Sequence, residues 1–246
     1  MNKYWFHGGV VMNKKVVFLS LIFVLTCIFV SALTASAQTE FKDDFSDVDY
    51  ASNGWYRYVL LGNPNSDYIY PARRRLSFHM PNYDTALYFL NSNTTAEDST
   101  VEASFENVFS SNAQYAVVCR HHDYGWYEFR IITAGEHAGA YMVYKYDQYL
   151  KTQKKSPYVV LHPGMDRYYS YDIKLGINAQ NTLKMICEGN QIRVFINGKE
   201  QFPIKNGVIQ DNDFTDGDNG ILIWTQRPNG AAQIDLTGFS STVLEN

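Results

Sequence analysis

The stretch Tyr115–Ile131, YAVVCRHHDYGWYEFRI, decides the fold. Tyr115, Val117 and Cys119 alternate with Ala116, Val118 and Arg120. The polar segment HHDYG supplies a turn, after which Tyr127, Phe129 and Ile131 alternate with Trp126, Glu128 and Arg130. Successive side chains of a strand point to opposite faces. The segment therefore predicts a β-hairpin with one apolar face and one face carrying Arg120, Trp126, Glu128 and Arg130.

The same period runs outward in both directions. It predicts strands at Arg75–His79, Thr85–Leu90, Ser99–Phe105, Ala140–Tyr146, Tyr168–Leu175, Thr182–Glu188, Gln191–Ile196, Gly220–Thr225 and Gln233–Phe239. Around residues 182–196, LKMICE and IRVFI flank Gly189-Asn190, and Asn197-Gly198 follows as a second tight turn of residues that tolerate positive φ. After residue 38 no stretch sustains a helical stripe for three turns. Many short strands with frequent turn signals predict an all-β domain, a two-sheet antiparallel jelly-roll sandwich.

The first 37 residues read differently. From Met12, which reads as the true start, MNKK precedes the apolar run Val16–Leu33 and then TASA, the pattern of a secretory signal peptide cleaved after Ala37. An uncleaved anchor is the rival reading, because the run is at the lower edge of a membrane span. Cys27 follows Thr26, which disfavours a lipoprotein site. Cleavage leaves residues 38–246 as one secreted or cell-surface domain with no membrane segment.

Loss of the three leader lysines takes the formal charge from −4 to −7. A surface of that sign repels phosphate backbones and excludes nucleic acid as a partner class. Arg73-Arg74-Arg75 reads as a solvated strand start. Cys119 and Cys187 share the apolar phase of their strands. In an oxidising compartment, inward thiols on strands that could be neighbours suggest a disulfide, with buried free thiols as the alternative.

Several segments in order carry a resemblance: FKDDFSD and NGWY, YAVVCR and WYEFRI, NTLKMICEGNQIRVFINGKE, FTDGDNGILI, and QIDLTGFS. Together they resemble bacterial exported domains of the concanavalin A-like lectin/glucanase superfamily. They are distantly similar to the 3-keto-glucoside hydrolase/lyase and laminin-G-like families. The resemblance implies a jelly roll with sugar bound on its concave sheet; it does not imply an activity, because this superfamily hosts lectins, hydrolases and adhesion modules.

The chemistry-bearing residues point the same way. The E-x-D-x-x-E arrangement that places two carboxylates on one strand face of a family 16-type glucanase is absent, and Glu128 is the one weak catalytic candidate, read first as an ion-pair partner of Arg120 or Arg130. His121, His122 and Asp123 cannot all converge in an extended segment and lack zinc spacing. Asp211, Asp213, Asp216 and Asp218 offer hard oxygens, without EF-hand spacing, and read as a solvated turn. The junction of DDFSD, with Asp44, and Asp235 is a second candidate for calcium, which suits these residues better than zinc.

An aromatic plate beside charged forks suits a saccharide. Arg120, Trp126, Glu128 and Arg130, extended by Tyr141, Lys145 and Trp224, are the expected carbohydrate-binding residues. The expected function is an exported, non-catalytic carbohydrate-binding or adhesion module. The alternatives are a sugar-active enzyme, as a glycoside hydrolase or 3-keto-glucoside lyase/hydrolase, and a structural protein-binding sandwich.

Overall fold

The structure is a computed structural model and describes residues 39–244 apart from 48, 67, 82–83, 110–112, 163, 202–207 and 226–230. The leader and its expected cleavage point at Ala37 lie outside the described residues. Strands pair into two antiparallel sheets. Sheet I runs β14 (Lys199–Glu200), β13 (Gln191–Ile196), β12 (Gln180–Glu188), β6 (Ser99–Phe109), β17 (Ala232–Val243), β4 (Arg75–Met80) and β3 (Ile69–Ala72). Also in sheet I, β1 (Glu40–Asp43) pairs with β17, and β15 (Ile209–Gln210) with β13. Sheet II runs β10 (Tyr158–Val160), β9 (Ala140–Asp147), β8 (Gly125–Ile132), β7 (Ala113–His122), β16 (Asp218–Thr225), β5 (Thr85–Asn91) and β2 (Trp55–Leu61), with β11 (Tyr168–Tyr169) on β9. This is the two-sheet jelly-roll sandwich.

The hairpin at Tyr115–Ile131 is β7–β8, with Val117 opposite Phe129. Its odd-numbered apolar residues, Tyr115 to Cys119 and Tyr127 to Ile131, enter the core between the sheets with Val101, Leu183 and Ile223. Each aliphatic or phenyl side chain buried there contributes about 1.5–3 kcal/mol. The core disulfide Cys119–Cys187 joins β7 to β12. Those strands belong to opposite sheets, so the bridge crosses the sandwich instead of linking neighbours within one sheet.

The two sheets bury their strands differently. Along β6 and β12, buried residues alternate with partly exposed ones, as a sheet with one wet face requires. Along β5 and β8, every residue is buried. The middle of the outer face of sheet II is therefore withdrawn from water as well, and it carries its own aromatic cluster.

Several elements depart from the expected series, among them the segment after Tyr168 and strand β2. Only Tyr168 and Tyr169 of the expected Tyr168–Leu175 strand are paired. Side chains take the place of a partner strand after them: Asn181 Oδ1 accepts from Lys174 N at 2.9 Å, and Asn197 Nδ2 donates to Asp172 O at 2.6 Å. Strand β2 was not expected, because WYRYVLL does not alternate. Trp55 anchors it, stacked on Phe89 at 4.5 Å between ring centroids.

Candidate functional site

The outer face of sheet II is built around Glu128 and Arg130, which project from β8 on the side opposite Phe129. Both are nearly inaccessible and form a close ion pair. Glu128 Oε2 also accepts from Tyr88 Oη at 2.8 Å and from Trp126 Nε1 at 3.1 Å. Arg130 Nη1 donates to Gln114 Oε1 at 3.1 Å, and its guanidinium lies 4.1 Å from the Trp224 ring centroid. Burial first, and then the Glu128 charge, push the Tyr88 hydroxyl well above its ordinary range, so it remains a donor.

Trp126 is not an open plate. It is fully buried, stacked on Tyr146 at 3.9 Å and on His121 at 4.8 Å. The accessible rings lie further along the face. Trp224, Tyr144 and Tyr158 line a recess of about 330 Å³ with Arg130, Gln114 and Arg167. Arg167 also borders an adjoining cavity of about 730 Å³ that includes Asp166 and Tyr169. The recess offers ring faces and N–H donors, and the described residues lining it include no carboxylate.

Arg120 departs from the expected face. It sits at φ 54° in a β-bulge: Cys119 pairs with Tyr127 but His122 with Gly125, so β7 carries one extra residue. The bulge turns Arg120 away and fixes it as a clamp. Its guanidinium donates to Asp98 Oδ1 at 2.9 Å and to the carbonyls of Glu97, Gly189 and Phe214 at 2.7, 2.9 and 3.1 Å. Gly217, at φ 138°, allows the close approach; a Cβ there would lie 2.6 Å from the Arg120 carbonyl carbon.

The bulge delivers His121 to the outer face in Arg120's place. Its Nε2 is buried without a partner among the described residues, and burial lowers its pKa to about 4 against a weaker upward pull from Asp218 and Asp123. The unfolded chain thus binds a proton near pH 6.5 that the folded protein refuses until about pH 4. Stability from this group is full above the unfolded value and is lost as pH falls through that window, by about 3 kcal/mol in total. The variant His121→Phe keeps a stacking ring and should lose less stability than the parent between pH 7 and pH 4.5. Urea unfolding at the two pH values measures this, and equal losses would refute the assignment.

Tyr141 and Lys145 also leave the expected face. Tyr141 lies opposite Ile131 and so shares its inward direction; it packs in the core near Phe129 and Tyr168. Lys145, in the same phase, reaches the end of the sandwich and pairs with Asp211 at 2.6 Å and closely with Asp213. The residues of β9 that join the outer face are Met142, Tyr144 and Tyr146. His122 points away from His121, to Asp216 at 3.1 Å.

The acidic candidates for calcium are engaged with protein donors. Lys145 takes Asp211 and Asp213, His122 takes Asp216, and Tyr56 Oη donates to Asp218 at 2.7 Å. Asp235 is buried against Arg75, at 2.9 Å, and Ser77. Asp44 is exposed and accepts from Ser46 N at 3.1 Å. Asp43 pairs with Phe239, four residues along β17 from Asp235, which is on the order of 13 Å of strand. The Asp44–Asp235 pairing therefore does not form. Among the described residues no group of three or more His, Cys, Asp or Glu side chains is placed to hold a metal ion.

No family model and no curated protein matches the chain. Solved structures do. The carbohydrate binding module CBM66 from Bacillus subtilis is 15% identical, with a TM-score of 0.52 over 76% of this chain and 95% of that one. The laminarinase catalytic domain from Thermotoga maritima is 7% identical, with a TM-score of 0.59 over 86% and 100%. The exoplasmic/lumenal domain of VIP36, in its Ca2+/Man3GlcNAc-bound form, is 8% identical, with a TM-score of 0.51 over 80% and 87%. At such identities the likeness is one of fold: the chain is a concanavalin A-like jelly roll.

Proposed function

We propose that the protein is an exported, non-catalytic carbohydrate-binding module whose site is the recess on the outer face of sheet II. The observation that carries the reading is the lining itself: Trp224, Tyr144 and Tyr158 beside Arg130, Gln114 and Arg167. Ring faces suit the C–H faces of a sugar, and fixed N–H donors suit its oxygens. The similarity in fold to a carbohydrate binding module and a sugar-bound lumenal domain supports it.

Binding is favoured over hydrolysis by the state of Glu128. A hydrolase requires two carboxyl groups roughly 5–10 Å apart across the glycosidic bond. Glu128 lies beneath the recess, committed to Arg130, Tyr88 and Trp126. Of the expected residues, Arg130 and Trp224 stay in this set; Arg120 is turned away and Trp126 is sealed between two rings, and Tyr144, which was not expected, joins them.

A glycan array followed by calorimetry tests the reading. Trp224→Ala and Tyr144→Ala should each weaken the best ligand by about 2 kcal/mol, roughly thirtyfold in Kd. Arg193→Ala, on the outer side of sheet I, should leave affinity unchanged, and incubation should release no new sugar ends. Binding indifferent to both ring deletions would sink the site; release of product would move the protein to the enzymes that share its fold.

A further inference from the structure

We propose that this recess selects saccharides bearing an anionic substituent, a carboxylate or a sulfate ester, and that Arg167 and the Trp224 indole read that group. The inference rests on the carbohydrate-binding reading and adds the class of sugar.

Two buried donors in this recess, Arg130 Nε and Trp224 Nε1, lack acceptors among the described residues. A buried N–H without a partner costs about 1–3 kcal/mol, so a small movement of the ring or guanidinium that brings either N–H to a ligand oxygen recovers a penalty already present in the free protein. Arg130 itself is only 2% exposed, and its remaining named donors are occupied by Glu128 and Gln114.

Charge and donor character decide which oxygen fits. Arg130 Nε, Trp224 Nε1 and the Arg167 guanidinium donate and cannot accept. The strong acceptors nearby are taken, Gln114 Oε1 by Arg130 and the Glu128 carboxylate by Arg130, Tyr88 and Trp126, which leaves the weaker acceptors of the Tyr144 and Tyr158 hydroxyls and the His137 ring. A neutral hydroxyl needs to donate as well as accept, whereas a carboxylate or sulfate only accepts and gains strength from charge.

Because Glu128 balances Arg130, the net positive charge comes from Arg167, half-buried where the recess meets the adjoining cavity. Asp166 lines that second cavity and not the recess. Met142, Ile132 and the rings of Trp224 and Tyr144 leave apolar surface for the sugar itself.

The test is calorimetry on the protein expressed from its full sequence, with size-matched oligogalacturonate, sulfated and neutral oligosaccharides at low and high salt. At low salt the acidic ligands should bind about tenfold tighter than the neutral one, and salt should shrink that margin. Arg167→Gln should abolish most of the margin, because the acidic ligands lose far more affinity than the neutral one. Trp224→Phe keeps the ring, deletes the N–H and should weaken the acidic ligand several-fold. A margin confined to the uronate or to the sulfate arm upholds the proposal and assigns the anion. Neutral sugars that bind as tightly as acidic ones, or a margin that survives Arg167→Gln, would overturn it while the carbohydrate reading stands. Failure of every glycan to bind would overturn that reading, and this inference with it.

Discussion

Replacing both Cys119 and Cys187 by alanine should lower stability by about 4 kcal/mol, the chain-entropy value for a bridge that closes a loop of this length. The separation of 68 residues spans β8, β9, β10 and β11, so the unfolded chain without the bridge gains the freedom of half of sheet II. For a domain of this size the melting temperature should fall by roughly 8–16 °C. Prolonged reduction of the parent should produce a comparable fall and do nothing further to the double variant. Both sulfurs lie in the core between the sheets, on the face of β7 opposite the recess, so ligand affinity measured well below the melt should be unchanged. A double variant that melts within a few degrees of the parent would mean that the bridge does not limit the unfolded chain.

Alternation made one side of this molecule legible. Where strands show a single apolar phase, as β12 does with Leu183, Met185 and Cys187, the inward face follows from period two, and the hairpin at 115–131 shows its core residues the same way. The phase of β9 was not legible, because AYMVYKYD is apolar on both faces. Tyr141 and Tyr144 look equivalent in the sequence, and only the pairing of Tyr141 with Ile131 separates core from recess.

The bulge at Arg120 was hidden for a different reason. Nothing local in CRHH marks an extra residue. The conformation is held by Asp98, Gly189 and Phe214, far away in sequence, and by the Cβ-free surface of Gly217. One displaced residue exchanged an arginine for a histidine on the outer face, with the change in chemistry this implies. Gln114, Tyr158, His137 and Arg167 were missed because each reaches the recess from a different strand or loop, and single-strand periodicity carries no information about convergence.

Glu128→Gln should be among the most destabilising single substitutions on the outer face. It leaves the Arg130 guanidinium buried without its counter-charge, a change that costs about 3–5 kcal/mol. The amide oxygen can still accept from Tyr88 and Trp126, so the loss reports the charge and not the whole hydrogen-bond set. Arg130→Met alone should cost a similar amount, since it strands the carboxylate. The double variant Glu128→Gln/Arg130→Met should recover at least about 2 kcal/mol relative to the sum, because neither buried charge then lacks a partner. Urea unfolding of the four proteins closes the cycle, and additive losses would show that the two groups do not pair. The same variant separates binder from catalyst. If Glu128 only braces the recess, Glu128→Gln measured well below its melt should keep most of its affinity for neutral sugars, and neither protein should release product. If the parent does release product and Glu128→Gln abolishes release without losing affinity, Glu128 is an acid or base, and the ion pair with Arg130 is its resting state.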